Sequence, residues 1–264
     1  VTLRSDRRGV SEAISFVLIF SLIVTSVGLV YTVGAQELVD VRDYERLNNA
    51  ERAFDVFADN VEDISRRGAP SRGTEIKLAD ASLRFADDAT INVTADFDNE
   101  SANPARDFAT GSIGLSPAVF EVADAGRIRY STGAVLRDDG PVGDAVVVRR
   151  PNALFGPEGA LVPIVAFDPR GSTAVSGSQT VRIRTELAYR EVLFVSPAEA
   201  PAYDEVRVNV TSPYADAWIE YFESEGLDCA LEPATASTPP TAACTAYGVD
   251  RVTVTYVELT TTLE

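Results

Sequence analysis

The sequence predicts an α+β fold: a long N-terminal transmembrane and stalk helix, then a mainly antiparallel β head, sandwich or meandering sheet, with one short late helix. Three observations carry this. Residues 13–36 contain no charge, and an apolar stripe of helical spacing continues from them to Ile64. Beyond Gly68 the hydrophobic period falls to two. One helical signal returns late, across residues 212–226.

The uncharged run reads AISFVLIFSLIVTSVGLVYTVGAQ. As a helix it measures about 36 Å, enough to cross ~30 Å of hydrocarbon. Its Ser and Thr hydroxyls (Ser15, Ser21, Thr25, Ser26, Thr32) can bond their own helix, which lowers the cost of placing them in lipid. Arg4, Arg7 and Arg8 precede the run, whereas Glu37, Asp40 and Asp43 follow it. The positive-inside bias therefore puts the N-terminus in the cytoplasm and the rest outside the membrane. Val33-Gly34-Ala35 offers the small residues of a secretory cleavage site, but the apolar stretch exceeds the usual 7–15 residues of a signal core. Retention as an anchor in contact with membrane lipid is the expectation.

Past the membrane, Leu38, Val41, Leu47, Ala50, Phe54, Phe57, Val61 and Ile64 recur mostly every three or four positions, with acids and arginines on the other face. No proline occurs before Pro70, Arg66 and Arg67 suit the C-terminal dipole, and Gly68 is a natural stop. A helix ending there would be on the order of 85 Å long. Its stripe either packs against the protein's own head or forms a coiled-coil seam between subunits.

Alternating segments then follow at 75–85, 90–96, 119–123, 127–131, 134–137, 145–149, 161–167, 181–189, 190–195, 205–210 and 251–259. Turn clusters such as Asp138-Asp139-Gly140-Pro141 and Asp168-Pro169-Arg170-Gly171 separate most of them. In the late helix, Ser212 is placed to cap, Pro213 suits N1, Asp216 lies in the first turn and Gly226 ends it. Trp218, Tyr221 and Phe222 form its apolar side, expected to cover a sheet.

Composition limits the chemistry. The 264 residues carry 40 acids, 23 bases and no histidine, for a net charge of −17. Histidine-based acid/base work, Ser-His-Asp chemistry and histidine-ligated zinc are thereby excluded. The acidity and the lack of a basic block argue against nucleic acid as a partner. No P-loop, dinucleotide fingerprint or Gly-x-Ser-x-Gly elbow is present. The segment Asp96-Phe97-Asp98-Asn99-Glu100 begins like a calcium loop but lacks its glycine and its final glutamate. No enzyme, cofactor or metal is expected.

Residues 1–36 are net +1, leaving −18 on residues 37–264, where Lys77 is the lone lysine of the whole chain. Avoidance of lysine beside abundant Asp, Thr and Ala is the bias of a protein adapted to molar salt, where self-repulsion is screened. Cys229 and Cys244, fifteen positions apart in a segment expected outside the cytoplasm, are predicted to form a disulfide. Asn92-Val93-Thr94, Asn99-Glu100-Ser101 and Asn209-Val210-Thr211 are candidate glycosylation acceptors, each expected to be exposed.

The junction reads Arg7-Arg8-Gly9-Val10-Ser11-Glu12-Ala13-Ile14. Two arginines and a glycine, then an acid at the edge of an apolar run, resemble the class III signal peptide of archaeal type IV pilin-like proteins, here of a haloarchaeal surface protein. The resemblance is confined mainly to residues 1–35. It implies that a prepilin-type peptidase cuts after Gly9, so that 1–9 is a leader and Val10 the mature N-terminus. It implies also that 10–67 is a transmembrane and stalk helix and 68–264 an extracytoplasmic β-rich head. Glu12 would then stand near the new α-amine and assist assembly with itself or other pilin-like subunits. The commoner haloarchaeal form has proline at the place of Glu12. The function implied is a surface structural protein, a major or minor subunit of a pilus-like filament. A singly anchored adhesin or binding module is the alternative.

Overall fold

One helix, α1 (Arg8–Ser65), opens the chain. The computed structural model describes residues 8–97, 107–123, 125–140, 145–196 and 202–264, with only the backbone of 8–12 and 32–36. The chain divides into two units, residues 1–45 and residues 46–264. In the first, the described part is α1 alone, and Leu38 and Val41 of the predicted stripe are 73% and 62% exposed. From Leu47 onward the stripe belongs to the second unit. Leu47, Ala50, Phe54, Phe57, Ala58, Val61 and Ile64 are all buried there among strand residues. Past Ser65 the backbone of Ala69 donates back to Asp63, and Gly68 takes the left-handed conformation (φ 80°) that closes the helix.

Among the described residues sixteen strands follow. They are β1 (Ser71–Lys77), β2 (Ala81–Phe85), β3 (Thr90–Asp96), β4 (Phe108–Ala109), β5 (Ile113–Gly114), β6 (Ala118–Val122), β7 (Gly126–Ser131) and β8 (Ala134–Asp138). Then come β9 (Val146–Arg149), β10 (Ala160–Pro169), β11 (Ala174–Gly177), β12 (Thr180–Val195) and β13 (Tyr203–Thr211). After the second helix, α2 (Ala215–Ser224), the chain finishes with β14 (Asp228–Glu232), β15 (Thr241–Val249) and β16 (Val252–Leu263). Three sheets result, in the orders β1-β12-β16-β10, β11-β2-β6-β7-β8-β9 and β14-β15-β13-β3-β4, with β5 also on β3. Among the described strands β10 and β16 alone pair in parallel. The fold is therefore α+β and mainly antiparallel, with the meander β6-β7-β8-β9 inside a three-sheet arrangement.

Two apolar cores lie between these layers. One gathers α2 with the inner faces of β3, β13 and β15. The other surrounds residues 47–64 of α1 with β1, β2, β6 and β7. Three strands serve both, because successive strand residues face opposite ways. Ala134 and Leu136 enter the first core and Val135 the second. On β10, Ala160, Val162 and Ile164 face one core and Val165 and Phe167 the other; on β16, Val252 and Val254 oppose Val257 and Leu259 in the same way.

Polar contacts hold the 46–65 stretch of α1 in register. Arg137 of β8 donates to Asn48 and Glu51 at 2.7 and 2.6 Å, and Arg149 of β9 to the Asp55 carbonyl and Asp59 at 3.2 and 2.7 Å. From the facing sheet, Arg190 reaches the Ile64 carbonyl, Arg72 reaches Asp63, and Asn60 donates to Thr74. Exposed ion pairs add little stability singly. The Arg137 side chain, however, is only 10% exposed, so its charge needs these partners.

Several segment boundaries differ from the sequence expectation. The single strand expected at 75–85 is two, because Ala79 and Asp80 adopt positive φ (52° and 71°) and turn the chain between β1 and β2. Conversely, 181–189 and 190–195 form one strand, β12, whose breaks are register shifts at Leu187/Tyr189 and Val192/Phe194. β4, β5, β11, β14 and β15 were not anticipated: β4 and β5 are two residues long, β11 and β15 are rich in Ala, Thr and Ser, and β14 (DCALE) lacks period-two alternation, so local pattern is weak and pairing decides them. The late helix begins three residues beyond Ser212, which accepts from the Tyr214 N–H instead of capping α2, while Gly226 (φ 88°) ends it as expected. Gly126 is obligatory in another sense: a Cβ there would lie 2.1 Å from the Asp138 carbonyl oxygen.

Two outcomes follow from this packing. Phe57→Ala is expected to lower the unfolding free energy by about 3–5 kcal/mol, whereas Val56→Ala, at a residue 53% exposed, stays within about 0.5 kcal/mol. Denaturant titration at molar salt measures both. For a fragment of residues 37–264, net −18, thermal melts in about 2 M and about 0.05 M potassium chloride are expected to show a large fall in midpoint at low salt, as screening is lost.

Candidate functional site

The N-terminal unit carries the clearest functional chemistry. Ala13–Tyr31 is 19 residues long and apolar enough to cross a membrane. At 1.5 Å per residue this gives about 28 Å, matching the hydrocarbon thickness. Every side chain in it is exposed, with Phe16, Leu22 and Val30 at 69%, 69% and 71%. An N-terminal helix apolar on all sides has the make-up of a membrane anchor or a signal sequence. The hydroxyl of Ser26 donates to the Leu22 carbonyl at 2.7 Å, so this polar group is satisfied within the helix. Phe16 and Phe20, one turn apart, stack at 6.1 Å.

The expected processing residues lie at the start of this helix. Arg7 falls outside the described residues. Arg8, Gly9, Val10 and Glu12 occupy the opening turns of α1, with only their backbone described. The Gly9–Val10 bond is thus in the first turn, where N–H groups lack helical partners and glycine lowers the propensity further.

In the second unit the buried charges Arg129 and Asp138 are each met by a partly exposed partner of opposite sign. Arg129, 2% exposed, pairs with Asp88 and stacks 5.4 Å over the Tyr214 ring. Arg127 pairs with Glu121 and with Asp138, and the Tyr214 hydroxyl donates to Asp138 at 3.3 Å. Burial, and after it the Asp138 carboxylate, raises the Tyr214 phenol above its ordinary pKa, so it remains a donor. Tyr130 is raised by burial too. It lines a cavity of about 50 Å³ with Glu62, Arg149 and Thr132, room for little more than water. Sequence reasoning missed this network, since nothing local distinguishes Arg127 and Arg129 from the arginines on the surface. Among the described residues no group of three or more metal-ligating side chains gathers.

Cys229 and Cys244 stand opposite each other on β14 and β15, with sulfurs 2.10 Å apart, at disulfide distance. Asn99 lies outside the described residues. Asn92 on β3 and Asn209 on β13 are direct cross-strand partners. Both alternate with core-facing residues (Ile91, Val93, Val208, Val210) and so point outward. They are half-buried rather than exposed, because each stands in mid-sheet beside the other. Thiol labelling of the unfolded, unreduced protein is expected to find no free cysteine. Reducing this fifteen-residue link should destabilise the fold by about 3 kcal/mol, read from chemical melts with and without reductant.

No curated protein and no solved structure matches the chain. One family model does, described as a family of unknown function, DUF7289, and it covers residues 8–262. That match takes in the apolar helix and all three sheets together. The chain belongs to the DUF7289 family.

Proposed function

We propose that the protein is a pilin-like structural component of the cell surface, a subunit of a type IV pilus-like filament. In this reading the first part of α1 sits in the membrane, and residues 46–264 form a head outside the cell. The observation that carries it is the make-up of one uninterrupted helix: Arg8–Ser65 is apolar on every side from Ala13 through Tyr31, yet from Leu47 supplies the core of the second unit. A secretory signal is discarded and has no need to continue into a core helix of the mature protein. The family match spans the apolar run and the sheets alike.

The chemistry of assembly follows from charge. Cleavage after Gly9 by a prepilin-type peptidase, on the cytoplasmic face, leaves an α-ammonium on Val10. When the helix passes from lipid into a bundle of like helices, that ammonium cannot stay unpaired. The Glu12 carboxylate of a neighbouring subunit offsets it. The role is structural and non-catalytic, in keeping with a chain that lacks histidine. Its acidity suits a surface bathed in strong salt.

Sequencing the mature N-terminus is expected to give Val10; an intact leader, or a start near Gln36, overturns the reading. Glu12→Gln should leave membrane insertion intact and sharply reduce the filaments recovered by shearing and seen by microscopy, because a neutral amide cannot neutralise the ammonium. A processed protein that forms no filaments would shift the assignment to a singly anchored adhesin.

A further inference from the structure

On the outer face of the third sheet, one row crosses the strands as Ala230, Ala243, Asn209, Asn92, each opposite the next. On the far side of Asn92, the neighbouring pairings of β3 are Thr94 with Ala109 and Thr90 with Gly114, so the row is flanked there too by small residues. Above and below it run Thr90-Thr211-Thr241 and Thr94-Arg207-Thr245. Thr211 and Thr241 hydrogen-bond each other at 2.8 Å, which confirms their common face. Among the described residues no side-chain hydrogen bond engages the carboxamide of Asn92 or Asn209.

Both asparagines head acceptor sequons, and each sequon threonine, Thr94 or Thr211, lies two residues on and therefore on the same outward face. We propose that Asn92 and Asn209 form a single N-glycan acceptor site on this sheet, taking one glycan between them and never two. The reason is spacing. Directly opposed residues of an antiparallel pair hold their Cβ atoms about 4.5–5.5 Å apart, and side chains stand nearly perpendicular to the sheet. Two sugars rooted on the two amide nitrogens would claim the same space, with the row Thr90-Thr211-Thr241 on one side and Thr94-Arg207-Thr245 on the other. A single sugar instead finds a low floor in Ala243 and Ala230.

In the reaction, the amide Nδ2 attacks the anomeric carbon of a lipid-linked oligosaccharide held by a membrane glycosyltransferase. An N–C bond forms, the bond from that carbon to the lipid phosphate oxygen breaks, and the lipid phosphate leaves. The amide proton passes to a base of the transferase, and no oxidation state changes. The proposal rests on residues 46–264 facing outside the cell, as in the reading above.

The test is the intact mass of the full chain purified from its producing cells, in an Asn99→Gln background that removes the third sequon. One glycan per chain is expected. Adding Asn92→Gln should leave that one glycan on Asn209, and adding Asn209→Gln should leave it on Asn92. Thr211→Ala, which disables one acceptor without touching its asparagine, should likewise confine it to Asn92. A doubly glycosylated chain, a chain with none, or a glycan that fails to move overturns the proposal. The same spectrum reports where the chain starts. An unprocessed but singly glycosylated protein would defeat the filament reading alone, and a processed protein without sugar would defeat this one alone.

Discussion

Phe57 lies among Phe54, Tyr130 and Phe167, with ring centroids 6.0, 5.2 and 5.6 Å away, and much of the second unit is arranged around that contact. Phe85 extends the cluster from β2 by packing on Phe167. Burying a side chain of this size contributes about 1.5–3 kcal/mol, and α1 places seven apolar side chains in the same core. The strands around it would otherwise present that apolar surface to water. The helix is thus a structural part of the sheets' own core, and the chain cannot shed it and keep this fold.

That dependence spreads through the shared strands. Since β8, β10 and β16 present one face to each core, loosening the helix removes one side of strands whose other side supports α2 and the third sheet. Arg137 and Arg149 add direction to a force that has none: apolar burial holds the helix against the sheets, and their bonds to Asn48, Glu51 and Asp59 set its rotation and register. The same helix, Arg8–Ser65, that supplies these core residues also carries the apolar run Ala13–Tyr31.

The candidate sites differ in how legible they were. The apolar run and its flanking charges are written in consecutive residues, so composition alone exposes them. The cysteines were paired on separation and on an expected compartment, and the register of β14 on β15 supplies the geometry that brings them together. The sequons are visible as triplets, but their opposition is not, since 117 positions separate Asn92 from Asn209. The pairing of buried Arg129 with Asp88, and its position over the Tyr214 ring, are likewise products of long-range contact.

Local pattern by itself determined the helix from the apolar run to Gly68, the change to β structure after it, the late aromatic helix and most of the long strands. Each of these repeats every two or every three to four residues, and the turn residues between them act locally. Tertiary structure alone decided the sheet orders, the parallel pairing of β10 with β16, and the joining of two expected strands into β12. It decided too which half of the α1 stripe is core: Leu38 and Leu47 are the same residue on the same helix, yet one is 73% and the other 2% exposed. Periodicity shows that a helix has an apolar side. What covers that side depends on residues from Ile76 to Leu259, brought close only when the sheets assemble.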